Sequence, residues 1–239
     1  MITLIDNALD VDANCKMVSC HFDVTEFDRE AELTIEQRWG VKLPDKLERA
    51  VNKRKAEFIA GRYCVSRALQ MLPLLPAKEN STDIKIGEKR QPLWPSGLTG
   101  SITHSHGFAA AVVANTDDVR SIGIDSEYMI KHQTAENVAS HILTGPEDFS
   151  KNRDVVDNSD QYLTLIFSAK ESIFKCLYPL VSQYFDFKDA VISLAPDQPS
   201  RFAFVLQKTL NEEFSEGYTG NGIFQLEESF IHTAVILNR

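Results

Sequence analysis

Ser121-Ile122-Gly123-Ile124-Asp125-Ser126-Glu127 reads as a β-strand that closes on two acids. Strand side chains alternate between faces, so Ile122 and Ile124 can look into a core while Asp125 and Glu127 project together, outward. Farther along, Phe167-Ser168-Ala169-Lys170-Glu171-Ser172-Ile173-Phe174-Lys175 reads as helix, with Glu171 and Lys175 one turn apart on one face. Taken singly, these are a solvated strand edge and an i,i+4 surface pair, the latter stabilising by about 0.2–0.5 kcal/mol. The apolar company of both segments argues for more. Three carboxylates from two elements suit Mg²⁺, which combines carboxylates with water and phosphate oxygens. Such a set points to diphosphate chemistry, with the lysine answering the leaving phosphate.

Outward from this strand, the pattern predicts a first strand over 15–23, a short acidic helix over 28–37 and a long helix over 46–72 ended by Pro73. Val51, Phe58, Val65, Leu69 and Leu72 form the apolar stripe of that long helix. A polar loop over 76–82, a short strand over 83–87 and an irregular proline- and glycine-interrupted loop over 91–97 follow. Strands over 101–104 and 109–114 lead into 121–127. Beyond it come a helix over 135–143, a second helix start at Thr144-Gly145-Pro146-Glu147, a polar loop over 151–160, and a long helix over 161–178 closed by Pro179. Strands are expected over 190–194, 202–206, 222–226 and 231–237. Long helix and hairpin, then long helix and strands, suggests two α+β lobes, 1–119 and 120–239.

The chain has 239 residues, 43% hydrophobic and 25% charged, with a net charge of −9. This is a globular composition with a substantial core, and its field repels polyanions, so no nucleic-acid partner is expected. No run approaches the roughly 20 apolar residues of a membrane span, and the first residues lack a basic leader. Cys15, Cys20, Cys64 and Cys176 show no zinc spacing and read as thiols in a reducing cytoplasm.

Lys53, Arg54, Lys55, Arg62 and Arg67 lie in the first long helix, and Arg62 falls within its apolar stripe. A charge there must snorkel, pair with an acid such as Glu57, or meet an anion. Arginine's planar fork suits phosphate. Solvated helix charges are the plain alternative. Lys89 and Arg90 could extend the basic patch, and His104, among hydroxyl residues beside a glycine-rich run, can donate to phosphate.

Taken together, Arg54-x-x-Glu57-Phe58-x-x-Gly61-Arg62, Trp94-Pro95-x-Gly97-x-x-Gly100-Ser101-Ile102-Thr103-His104, Gly123-Ile124-Asp125-Ser126-Glu127 and Phe167-Ser168-Ala169-Lys170-Glu171-x-x-x-Lys175 with Tyr178-Pro179 resemble the Sfp-type 4'-phosphopantetheinyl transferases. Within that family the similarity is to the branch that includes enterobactin synthase component D, and it runs over about residues 36–195. Phe167 stands where the family commonly has Trp, and Ser126 where a small apolar residue is frequent.

The resemblance implies a pseudo-two-fold α+β transferase fold, two lobes each with a small antiparallel sheet and a long helix. It implies transfer of the phosphopantetheine arm of coenzyme A to a serine of an apo carrier protein, dependent on Mg²⁺, in siderophore biosynthesis. Asp125, Glu127 and Glu171 would be the metal ligands, Glu171 and Lys175 the catalytic residues, and Arg54, Arg62, Lys89, Arg90, His104 and Lys175 the coenzyme A contacts. A monomer, in the cytoplasm or peripheral at the inner membrane face, is expected. The carrier and this chain are both acidic, so docking must rest on a local patch, with the 151–160 loop as a rim. Two other classes stay open: a Mg²⁺-dependent phosphohydrolase using water as nucleophile, and a non-catalytic module binding coenzyme A or a carrier.

Overall fold

A computed structural model describes residues 2–6, 8–25, 34, 36–37, 40–72, 84–195 and 197–239. Most of the acidic helix expected over 28–37, the polar loop over 76–82, and Pro73 lie outside the described residues. The chain divides into two compact units, residues 1–122 with 238–239, and residues 123–237.

In the first unit, β1 (Ile2–Ile5), β2 (Lys16–Phe22), β5 (Leu98–Ser105) and β6 (Phe108–Asn115) form an antiparallel sheet in the order β1-β2-β6-β5. β5 and β6 make a tight hairpin across His106 and Gly107, both at positive φ. A two-stranded ribbon pairs β3 (Lys85–Ile86) with β4 (Pro92–Leu93). Pairing therefore reaches into the segment expected to be irregular.

Helix α1 (Asn52–Leu69) packs on this sheet through Ala56, Ile59, Ala60, Tyr63, Cys64 and Ala68, against Val18, Cys20 and Phe22 of β2 and Ala109, Ala111 and Val113 of β6. Of the expected stripe, Val65 and Leu72 lie in this core and Phe58 and Leu69 pack against it, while Val51 does not. Val51 is 73% exposed and only caps the helix, while the small residues Ala56, Ala60, Gly61 and Cys64, which a count of bulky apolar positions passes over, let α1 settle onto the strands. At Gly61 the approach is close enough that a Cβ would lie 2.9 Å from Ile102 Cγ2. The helix also starts later than expected, because residues 45–47 form a separate 3-10 turn.

The second unit holds a five-stranded sheet in the order β7-β11-β10-β9-β8, built from β7 (Val119–Tyr128), β8 (Ala190–Leu194), β9 (Arg201–Leu206), β10 (Thr219–Leu226) and β11 (Phe230–Asn238). Helices α2 (His132–Ile142) and α3 (Ser159–Val181) complete it. The α3 residues Leu165, Ile166, Ala169, Ile173 and Leu177 share a core with Ile192, Phe202, Phe204, Phe224 and Val235. Asn158 caps the start of α3, its side chain accepting from the Gln161 N–H.

Two expectations fail in this unit. Pro179 sits inside α3 rather than ending it, since the helix runs on to Val181 and stops where Ser182 turns left-handed, at φ 52°. Thr144 to Glu147 is a turn, not a helix start. The Glu147 carboxylate folds back to accept the Thr144 N–H at 2.8 Å and is buried.

Candidate active site

The first grouping of expected residues lies in the first unit, around a cavity of about 490 Å³. Its walls include Lys46, Arg54, Glu57, Arg62, Arg90 and His104. Four permanent cations thus face one carboxylate, a local reversal of the chain's negative charge. Glu57 organises the group: its Oε2 is 3.6 Å from Arg54 Nη1 and 3.8 Å from His104 Nδ1, while Arg54 Nη1 meets His104 Nε2 at 3.1 Å. Arg62 is 8% exposed, and its guanidinium lies over the Phe58 ring, 5.1 Å from the centroid. Such stacking holds the planar fork in place beside the cavity. Arg90 enters from the β3–β4 connection, where its backbone is left-handed at φ 68°.

The second grouping lies in the second unit, where β7 meets α3. Gly123 makes this approach possible, because a Cβ there would run into the Ser172 carbonyl of α3. Two residues on, Asp125 shares the Gly123 face and is buried, 3% exposed. That corrects the expectation that this face looks outward. Lys175 donates from Nζ to Asp125 Oδ1 at 2.7 Å and to the Ile124 carbonyl at 3.1 Å.

Charge ties in the other two acids. Burial pulls the Lys175 ammonium down, but Asp125, through charge and hydrogen bond, and then Glu171 and Glu127 outweigh it and hold the group above an ordinary lysine. Burial pushes the Glu171 carboxyl up; Lys175 pulls it back and Asp125 pushes it up again, with a net rise. Three carboxylates therefore act on one ammonium that is about a quarter exposed, at 27%. Among the described residues no three acid, imidazole or thiol side chains already form a metal cage.

Each unit thus collects its own set of expected residues. Asp125, Glu127, Glu171 and Lys175 share an electrostatic site, and Arg54, Arg62, Arg90 and His104 share a cavity. Lys89 does not line that cavity and is exposed. Lys46 and the bridging role of Glu57 escaped sequence reasoning: a lysine following Pro44-Asp45 looks like any turn charge, and the separate 3-10 turn is what brings it to the cavity.

Comparison with known proteins matches both parts of the chain. Residues 43–114 match the 4'-phosphopantetheinyl transferase N-terminal domain, and residues 121–233 match the 4'-phosphopantetheinyl transferase superfamily. The chain is 31% identical to 4'-phosphopantetheinyl transferase PptT of Mycobacterium tuberculosis over 80% of its own length and 82% of that protein. It is 36% identical to 4'-phosphopantetheinyl transferase Npt of Nocardia iowensis over 62% of each chain. Against enterobactin synthase component D of Escherichia coli K12 the identity is 40%, over 54% of this chain and 57% of that protein. None of these findings favours a phosphohydrolase or an idle binding module. A similarity that spans both units and four-fifths of a named relative places this chain in the 4'-phosphopantetheinyl transferase family, and it is an enzyme of that kind.

Proposed function

We propose that this enzyme moves the 4'-phosphopantetheine arm of coenzyme A onto a serine hydroxyl of an apo carrier protein, with Mg²⁺ held by Asp125, Glu127 and Glu171, in siderophore biosynthesis. The observation that carries the reading is the buried Asp125 carboxylate held 2.7 Å from the Lys175 ammonium, one turn of α3 from Glu171. A carboxylate that already pairs with one cation, with two more acids acting on that cation through charge, is the kind of hard-oxygen set a divalent cation takes. When bound, the metal would neutralise charge on the coenzyme A diphosphate oxygens.

The protein's own groups account for the remaining chemistry. Glu171, whose carboxyl burial raises above its ordinary value, accepts the proton of the carrier serine as its oxygen bonds to phosphorus and the bond to 3',5'-ADP breaks. Lys175 stabilises the departing ADP oxygen. Lys46, Arg54, Arg62, Arg90 and His104 take the coenzyme A phosphates, with Arg90 rather than Lys89 at the nucleotide end. The siderophore assignment draws on the relatives named enterobactin synthase component D. Four buried free thiols accord with a reducing cytoplasm.

The test is mass spectrometry of apo carriers incubated with coenzyme A and the enzyme. A gain of about 340 Da on the carrier, lost with EDTA and restored by Mg²⁺, is expected. Release of free phosphopantetheine without an acceptor would instead mark a hydrolase. Carriers from a siderophore synthetase should be modified with higher kcat/KM than a fatty-acid carrier; equal or reversed preference sinks the pathway assignment.

A further inference from the structure

We propose that Glu147 and Lys170 are positioning residues for the transfer: a buried ion pair that fixes the rotation of α3 and so sets where Glu171 and Lys175 stand. The inference rests on the roles given above to those two residues. Lys170 and Glu147 have side chains 1% and 0% exposed, with Nζ 2.8 Å from Oε2. The remaining contacts tie the pair to α2, to β8 and to the turn that carries Glu147. Lys170 Nζ also donates to the Ile142 carbonyl at the end of α2, at 2.8 Å. Glu147 Oε1 accepts the Ile192 N–H of β8 at 2.8 Å, and Oε2 accepts the Thr144 N–H at 2.8 Å.

Lys170 immediately precedes Glu171. With 3.6 residues per turn it leaves α3 about 140° away from Lys175, so the pair grips the helix on the side turned from the acid cluster. The Gly123 approach to Ser172 grips it from β7. A charged group about 6 Å from a helix axis moves about 1 Å for a 10° rotation, and misplacement of that size can cost about a hundredfold in rate. A buried ion pair adds little net stability compared with an apolar pair of the same volume. Its many directional contacts do, however, specify a single orientation.

The decisive variant replaces both partners, Glu147→Leu with Lys170→Met, which removes the pair without stranding a charge. It should stay folded at a lower unfolding midpoint, because the Ile192 and Thr144 N–H groups and the Ile142 carbonyl lose their partners. It should lose kcat by about tenfold or more, and keep KM for coenzyme A within about threefold. A metal-free crystal structure of the variant should show Lys175 Nζ drawn away from Asp125 Oδ1. Retention of kcat within about twofold, or loss confined to KM with the Lys175–Asp125 contact intact, overturns the proposal. If the double variant does not fold, Lys170→Gln, which can still donate to the Ile142 carbonyl, is judged by the same kcat and KM criteria. Failure of the unaltered enzyme to modify any carrier would sink the proposed function instead.

Discussion

Gly123 and Cys176 touch across the β7–α3 interface: a Cβ on residue 123 would lie 2.5 Å from the Cys176 backbone nitrogen, well inside contact distance. Both elements reach the acid cluster because this one position carries no side chain. Gly123→Ala should therefore push α3 off the strand, costing about 1–3 kcal/mol of stability. Urea unfolding should show a lower midpoint with an unchanged slope, and transfer should be impaired even where the variant is folded.

Glu171→Gln keeps the size of the side chain but removes its charge and its ability to take a proton. If Glu171 is base and ligand, carrier modification should slow by about a hundredfold or more. Raising Mg²⁺ should not recover the rate. The check is single-turnover transfer by purified, folded variant; a wild-type rate would remove both assignments.

Within the cavity, Arg62→Ala should raise KM for coenzyme A by about tenfold to a hundredfold, since a hydrogen bond to a charged group is worth about 1.5–3 kcal/mol. Arg62→Lys should recover only part, because an ammonium cannot reproduce the planar fork stacked on Phe58. Lys89→Ala, outside the lining, should change KM by less than about twofold. Steady-state kinetics with coenzyme A varied at fixed carrier separates these outcomes.

At the surface, the hydrogen bond that His132 donates to Asp160, then the charge of Asp160 and that of Glu136, hold the His132 imidazolium above its ordinary 6.5. A raised folded value means the interaction contributes fully below about pH 6.5 and is lost as pH rises through the folded pKa. NMR titration of His132 should give a midpoint above 6.5 that falls in Asp160→Asn. An unmoved midpoint in that variant would discard the pairing.

Burial first, and Asp12 next, push the Cys15 thiol up to about 11, with Lys16 opposing. All four cysteines are buried. A disulfide reagent at pH 8 should find no fast-reacting thiol in the native protein and four after denaturation. Rapid modification of any one would contradict this packing.

Local pattern was enough for most elements of the α+β fold. The strand over Ala190–Leu194 stands where its β-branched and apolar residues put it, and Asp125 and Glu127 lie two apart on one strand, as the alternation around them required. The four-part motif order likewise carried the family, because those residues are recognisable one segment at a time. What sequence could not supply were quantities set by distant neighbours. Which small residues α1 buries beside its bulky ones depends on how closely β2 and β6 approach it. Whether Pro179 ends a helix depends on the packing that holds its last turn, and whether Glu147 begins one depends on Lys170 and Ile192 waiting for its carboxylate. Periodicity records which faces a segment offers; only the folded chain selects the partner each face meets, because burial, charge pairing and close approach are energies of contact between residues far apart in sequence.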